Sequence, residues 1–206
     1  NADDVILAYA YLRANVRFKV PYSENKQEFL FSDSRGGKTA VSSFGALPNT
    51  VSYGLRDQVE ILYTRAEDDK EFPIEYALDL DNESQPNQII VACLPRQATL
   101  AATLDDLDHR IASYSSESSP RSLGHGSLLV VPNLNWSLGH HFRELEGGDK
   151  LLQNPGLEDL FIRAAIQDID FRLDRSGVAI ESEAMSAALS WQLQFDYLFN
   201  QPFLIV

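Results

Sequence analysis

The connection between Gly177 and Pro202 is the feature that most constrains what this chain can fold into. The strand before it alternates Ile169, Phe171 and Leu173 with charged residues, and an apolar strand follows it. The connection itself is rich in small and acidic residues and contains no glycine or proline. A connection of that length between two strands is uncommon unless it is functional or disordered. The sequence therefore predicts that the connection between Gly177 and Pro202 is either a functional loop or a disordered one.

The composition predicts one sizeable domain, because 44% of the residues are hydrophobic and no apolar run approaches the ~20 residues that a membrane span needs. The net charge of −13 argues against nucleic acid and membrane partners, since phosphate binding requires clustered lysine and arginine. The lone cysteine, Cys93, excludes an internal disulfide and, within an apolar strand, is expected to be a buried, inert thiol.

The hydrophobic pattern predicts an α+β fold that is mainly β-sheet with few helices. Strands are predicted at Val5 to Val20, Glu28 to Ser32, Lys38 to Leu47, Gln88 to Pro95, Leu128 to Leu138 and Ile169 to Leu173. A hairpin is predicted from Thr50 to Leu55 and Gln58 to Tyr63, and the acidic stretch from Arg65 to Asn87 is interpreted as an exposed insertion.

The stretch from Thr99 to Ile111 is predicted to be a helix, because its apolar residues recur at helical spacing. They form one stripe: Leu100, Leu104, Leu107 and Ile111. A short helical turn is predicted around His140 to Leu145. The chain lacks a phosphate loop, paired cysteines and a framed nucleophilic serine. We therefore expect neither an enzyme nor a metal or other cofactor.

Several segments, in order along nearly the whole chain, resemble the C-terminal half of serpins, the serine protease inhibitor family. They are Ile6 to Ala14 with Pro21-Tyr22, Val59 to Tyr63, Ile89 to Pro95 with the helix after it, Val131 to Leu134, Ile169 to Gly177 and Phe199 to Phe203. The resemblance implies one serpin-like domain over residues 1–206, apparently without the family's N-terminal half and the end of its last strand. It also implies that Ile169 to Leu173 shares a sheet with Val5 to Val20.

The same resemblance implies a reactive-centre loop after Gly177 and no catalytic residue. The hinge residues would be Gly177, Val178, Ala179, Ile180, Ser182 and Ala184. Counting along the loop places the reactive bond between Trp191 and Gln192, with Leu189 and Met185 as fallback bait residues. The implied partner is a serine protease, and an aromatic bait residue favours a chymotrypsin-like one. We expect an extracellular location, and association with a missing N-terminal segment or with a second copy.

Loop insertion into a sheet requires small or apolar side chains on the buried face of the new strand. Every second residue from Val178 meets that requirement: Val178, Ile180, Ser182, Ala184, Ser186 and Ala188. Both acidic residues of this segment, Glu181 and Glu183, fall on the other face. The resemblance implies an inhibitor whose loop inserts into a β-sheet, and this alternation meets the requirement for insertion.

Two alternatives stay open at the level of sequence. Arg175 stands where the family has a glutamate, and Ile180 to Glu183 replaces its alanine-rich hinge segment. These departures favour a non-inhibitory binding or storage protein with the same fold. The other alternative is an unrelated all-β domain with a disordered loop.

Overall fold

The computed structural model describes residues 5–12, 17–47, 54–66, 73–81, 88–114, 121–124, 126–147, 149, 152–158, 160–177 and 196–206. Within these ranges the strands are β1 (Val5–Leu12), β2 (Ser23–Ser32), β3 (Lys38–Ala46), β4 (Glu60–Ala66), β5 (Pro73–Asp79), β6 (Ile90–Cys93), β7 (Leu129–Pro132), β8 (Leu134–His141), β9 (Phe161–Leu173), β10 (Tyr197–Leu198) and β11 (Leu204–Ile205). The helix α1 (Leu100–Ser113) and a 3-10 turn (Arg143–Leu145) complete the described elements. The predicted α+β fold dominated by sheet is confirmed.

The chain divides into two compact units. Unit 1 comprises residues 1–15 and 134–172, and unit 2 comprises residues 16–133 and 173–206. The expectation of a single domain over residues 1–206 stays a prediction.

Unit 1 is built on a three-stranded sheet in the order β1-β9-β8. β1 runs parallel to β9, from Val5 opposite Phe161 to Leu12 opposite Ile169, with one irregularity between Ile6 and Leu7. The prediction that the strand before the long loop shares a sheet with the first strand is therefore confirmed. The first strand is shorter than predicted, since residues 17–20 lie outside any strand.

Unit 2 contains two four-stranded sheets, in the orders β10-β7-β3-β2 and β11-β6-β5-β4. In the first sheet, β3 pairs antiparallel with β7, and Gly45 lies opposite Val130. The carbonyl oxygen of Leu129 lies 1.7 Å from where a Cβ on Gly45 would be. Only glycine allows the two strands to approach this closely.

The prediction of an exposed insertion at Arg65 to Asn87 is wrong for the residues described there. β5 lies inside that stretch, occupies an inner position of its sheet, and is buried at six of its seven residues. The predicted hairpin is also wrong where it can be examined, because Gly54 to Gln58 form a turn and β4 pairs with β5 instead. The partner of β4 was expected in the segment before it, whereas β5 follows it in the chain.

The predicted helix is confirmed as α1, which begins after the N-cap Thr99, whose hydroxyl oxygen accepts the Ala102 N–H. Its apolar stripe is only partly right: Leu107 is buried, whereas Leu100 is 66% exposed. The helical turn predicted from His140 is shorter, because His140 and His141 belong to β8.

Candidate functional site

The candidate site begins at the turn where the chain leaves β9, which we call the exit turn (Asp174 to Gly177). The Gly177 N–H donates to the Asp174 carbonyl at 3.0 Å, and the Ser176 N–H donates to the Asp174 carboxylate at 2.9 Å. Gly177 has a φ of +74°, which glycine adopts without steric cost. Asp174 and Gly177 also form an antiparallel β-bridge. The exit turn therefore reverses the chain and sends it back antiparallel to β9.

A second segment of unit 2 holds the exit turn through its backbone. The Tyr22 N–H donates to the Arg175 carbonyl at 2.8 Å, and the Phe18 N–H donates to the Ser176 carbonyl at 3.4 Å. The rings of Phe18 and Tyr22 are buried and meet edge-to-face at 4.8 Å. Tyr22 also contacts the buried ring of Phe44, with centroids 5.6 Å apart. The exit turn is thus bonded to a segment that is anchored in the core.

The described structure resumes at Asp196, which is also hydrogen-bonded to unit 2. The Asp196 carboxylate accepts the Leu128 N–H at 3.1 Å, and the Tyr197 N–H donates to the Leu128 carbonyl at 2.7 Å. Tyr197 and Phe199 are buried and pack edge-to-face on the ring of Tyr76. Burial raises the pKa of the Tyr197 hydroxyl, as expected for an apolar site. Both ends of the long loop are therefore anchored in unit 2.

Of the predicted hinge and bait residues, only Gly177 belongs to the described part of the chain, and it lies in the exit turn. The others lie outside the described residues: Val178, Ala179, Ile180, Ser182, Ala184, Met185, Leu189, Trp191 and Gln192. Their assignment as hinge or bait stays a prediction.

The seam between β1 and β9 is a separate feature of unit 1. The two strands are hydrogen-bonded neighbours in a parallel ladder of eight residue pairs. No strand lies between them in the described structure of unit 1. Along β9, Phe171 is half-buried and Leu173 is 2% exposed. These alternate residues lie on one face of the strand.

The described residues contain no cluster of three or more histidine, cysteine or acidic side chains that could hold a metal ion. Burial raises the pKa of the Cys93 thiol, which accepts a hydrogen bond from the Gln201 amide at 2.9 Å. Cys93 is the buried thiol that its apolar strand predicts. No helix in this part of the chain is long and apolar enough to cross a membrane.

Sequence reasoning missed the side chains that secure the segment bonded to the exit turn. Among them is Gln58, which is 1% exposed and bonds both backbone groups of Val20. The sequence carries no signal for this role, because the burial of Gln58 is seen only in the fold. Its partner lies 38 residues away, and no local pattern links such positions.

Solved serpins have folds similar to this chain. The thermophilic serpin tengpin in its native state is 15% identical with a TM-score of 0.55, and the match covers 96% of this chain and 49% of tengpin. Human glycosylated kallistatin is 15% identical with a TM-score of 0.53, over 96% of this chain and 50% of kallistatin. A serpin of the trematode Schistosoma haematobium is 13% identical with a TM-score of 0.53, over 95% and 50%.

These likenesses establish the fold alone, since all three identities are low. The chain spans about half the length of the solved serpins it matches. No family model matches the sequence, and no curated protein does. The resemblance to serpins that the sequence motifs indicate is therefore confirmed as a serpin fold over about half of a serpin's length.

Proposed function

We propose that this serpin-fold chain inhibits a serine protease by offering residues 178–195 as bait and then inserting the part that precedes the cleaved bond between β1 and β9. The protease's serine oxygen attacks the carbonyl carbon of the bait residue, and the peptide bond breaks. The amine of the following residue leaves with a proton, so an ester joins the protease to the loop. Insertion of the loop then distorts this acyl-enzyme before water can hydrolyse the ester.

The observation that carries the proposal is the isolated antiparallel bridge between Asp174 and Gly177, which directly follows the end of β9, the strand that pairs with β1. A strand that follows β9 through a tight turn runs antiparallel to β9, and therefore also to β1, which is parallel to β9. Insertion exchanges one parallel ladder for two antiparallel ones, with more backbone hydrogen bonds. That gain would supply the driving force.

The bridge also sets a register for the inserted strand. If the pairing of Asp174 with Gly177 continues, Val178 lies opposite Leu173, Ile180 opposite Phe171 and Ser182 opposite Ile169. Directly opposite residues share a face, so the small and apolar loop residues meet the side of β9 on which Leu173 is buried. A slip of one residue would move Glu181 and Glu183 to that side, at a cost of several kcal/mol for each buried charge.

The proposed bait bond joins Trp191 to Gln192. A tryptophan suits the deep apolar specificity pocket of a chymotrypsin-like protease, because such a pocket selects by buried ring area. Leu189 and Met185 are the alternative bait residues if the register differs. The proposed encounter is with an extracellular protease.

A non-inhibitory serpin-fold binding or storage protein is the second candidate, and the hinge sequence favours it. Ile180 would lie opposite Phe171, whose ring already stacks on Trp136 at 5.1 Å. A β-branched side chain fills more space there than the small residues of a fast-inserting hinge, and it is stiff. Slow insertion lets water release the protease, which turns an inhibitor into a substrate.

We also propose that the unit 1 sheet associates with a second chain, either a complementary serpin segment or another copy. Large apolar side chains are exposed on its outer strands, with Leu7 of β1 at 70% and Leu138 of β8 at 53%. Outer strands also carry backbone groups able to pair with another chain.

The deciding experiment incubates the chain with a chymotrypsin-like protease and, separately, with a trypsin-like one. Denaturing gels and sequencing of new termini then identify the cleaved bond. A covalent adduct with cleavage after Trp191 supports inhibition, and the variant Trp191→Ala should lose both. Cleavage without an adduct supports the non-inhibitory candidate, and absence of cleavage between Ala184 and Leu193 contradicts the bait assignment.

Thermal melting of the intact and loop-cleaved chain tests insertion itself. A large rise in melting temperature after cleavage is expected if the loop enters the sheet. An unchanged melting temperature would contradict insertion.

A further inference from the structure

We propose that Gln58 is a positioning residue for the exit turn, acting through the segment from Phe18 to Tyr22, which we call the latch segment. The role of that turn in loop insertion rests on the proposed function, but the latch itself is read from described residues of unit 2 alone.

Gln58 acts as a substitute strand partner for the middle of the latch segment. Its side-chain oxygen accepts the Val20 N–H at 2.9 Å, and its side-chain nitrogen donates to the Val20 carbonyl at 2.8 Å. The Gln58 side chain is 1% exposed, whereas Val20 is half-buried. Removing the amide would therefore cost Val20 both of these hydrogen bonds and leave its backbone groups with no protein partner at this position.

Two residues that directly follow β5, Leu80 and Asp81, accept two further hydrogen bonds from the latch segment. The Asp81 carboxylate, 1% exposed, accepts the Lys19 N–H at 3.2 Å. The Tyr22 hydroxyl donates to the Leu80 carbonyl at 2.6 Å. The Lys19 amide, both backbone groups of Val20 and the Tyr22 hydroxyl are thus hydrogen-bonded to three different residues of unit 2, namely Asp81, Gln58 and Leu80.

The remaining amides of the latch segment hold the exit turn. Phe18 and Tyr22 donate to Ser176 and Arg175, the two central residues of that turn. The latch segment is therefore hydrogen-bonded both to the interior of unit 2 and, through the amides of Phe18 and Tyr22, to the exit turn. A turn that is fixed in advance also fixes the register of any strand that follows it, since hairpin register is set by the turn.

The variant Gln58→Ala tests this inference by amide hydrogen exchange. We expect the Tyr22 and Gly177 amides to exchange roughly tenfold faster or more, because two bonds that hold the latch segment are lost. The Val91 amide, in the centre of another sheet of the same unit, serves as an internal reference and should not change. Gln27→Ala removes an exposed glutamine from β2 and is the matched control.

Faster exchange at Val20 alone, with Tyr22 and Gly177 unchanged, would overturn the latch. Equal acceleration at Val91 would also overturn it, since Gln58 would then merely stabilise the unit. Gln58→Leu removes both the donor and the acceptor while filling most of the space of the side chain, so it serves as a second variant if the alanine variant does not fold, and it should accelerate the same amides.

A second readout separates this inference from the proposed function. If the chain inhibits, Gln58→Ala should increase the fraction cleaved without adduct by a few-fold, because a loosened turn delays insertion. If neither protein forms an adduct while exchange at Tyr22 and Gly177 is faster, the latch stands and inhibition fails.

Discussion

At the scale of single residues, Asp79 is the buried group with the least favourable surroundings. It is 0% exposed, and one carboxylate oxygen accepts the Asp81 N–H at 3.0 Å. The other oxygen has no hydrogen-bond partner among the described residues. Burial raises the pKa of this carboxyl, and backbone hydrogen bonds only partly oppose the effect. The ionised form therefore destabilises the fold relative to the neutral form.

We expect Asp79→Asn to raise the free energy of unfolding near neutral pH. The pKa is higher in the folded state than in the unfolded state, so the native protein is favoured below the unfolded value. It loses stability as the pH rises through the folded value. The gain from asparagine should therefore shrink towards acid. Chemical unfolding from about pH 4 to about pH 8 measures it, with Asp105→Asn on exposed helix surface as control. An equal loss of stability at every pH would contradict the prediction.

At the scale of elements, what the sequence could not predict was β5, because its burial depends on distant partners. The strand carries Glu75, which is 7% exposed, and an acidic residue in an acidic stretch indicates solvent. Burial would raise the pKa of Glu75, but Arg65 and Arg110 bond both carboxylate oxygens and hold it below its usual value. Arg110 comes from α1. Strands β3 and β6, by contrast, were predictable because their own patterns specify them, and of β9 only the alternating end from Ile169 to Leu173 was predicted, since the strand begins at Phe161.

The candidate site divides in the same way. The motif from Ile169 to Gly177 located the strand and the glycine of the exit turn, since both signals are local. The backbone bonds from Phe18 and Tyr22 were not predictable, because they join segments far apart in sequence. Side-chain pattern carries no information on backbone groups that pair across such distances.

An element-scale prediction concerns the charges of the inserted strand. If the proposed insertion continues the exit-turn register, Glu181 would lie opposite Asp170 and Glu183 opposite Asp168. Like charges directly opposite each other destabilise a pair of strands by a few tenths to about 1 kcal/mol. The double variant Glu181→Gln with Glu183→Gln should therefore insert faster and form more adduct per cleavage, by a few-fold. Glu28→Gln on β2 is the control. Ser182→Glu, which puts a charge on the opposite face of the strand, should slow insertion and lower the adduct formed per cleavage. If it changed the adduct yield in the same direction and by the same amount as the double variant, the register would be contradicted.

A second element-scale prediction concerns the approach of β3 to β7. Gly45→Ala would place a methyl carbon 1.7 Å from the Leu129 carbonyl oxygen, so the two strands must separate. We expect a loss of several kcal/mol in unfolding free energy, as for other overpacked interiors. Gly36→Ala is the comparison: Gly36 has a φ of +82° but nothing within 4 Å, so its cost should be about 1 kcal/mol. Chemical denaturation measures the unfolding free energy of both variants. An equal loss of unfolding free energy in the two would contradict the expected clash at Gly45.

At the scale of the whole molecule, the serpin fold is present over about half of a serpin's length, and the unit 1 sheet presents apolar side chains to solvent. Trp136 is 44% exposed on β8, two residues from Leu138 on the same strand face. Adjacent exposed apolar groups of this size commonly mark interaction surfaces. The net charge of −13 opposes association, but at 0.1 M salt the repulsion is largely screened at separations beyond about 10 Å.

We therefore expect the isolated chain to self-associate through this sheet at moderate salt. Size-exclusion chromatography with light scattering should give a mass above 23.1 kDa that falls on dilution. Leu138→Lys and Leu7→Lys place a charge on β8 and on β1 respectively, and the one that restores the monomer identifies the strand involved, since charged residues on outer strands block pairing. Leu100→Lys, at a position 66% exposed on α1 of the other unit, is the matched control and should leave association unchanged. A native chain that elutes as a monomer at every concentration would rule out the sheet as a self-association surface and leave a complementary serpin segment as its remaining proposed partner.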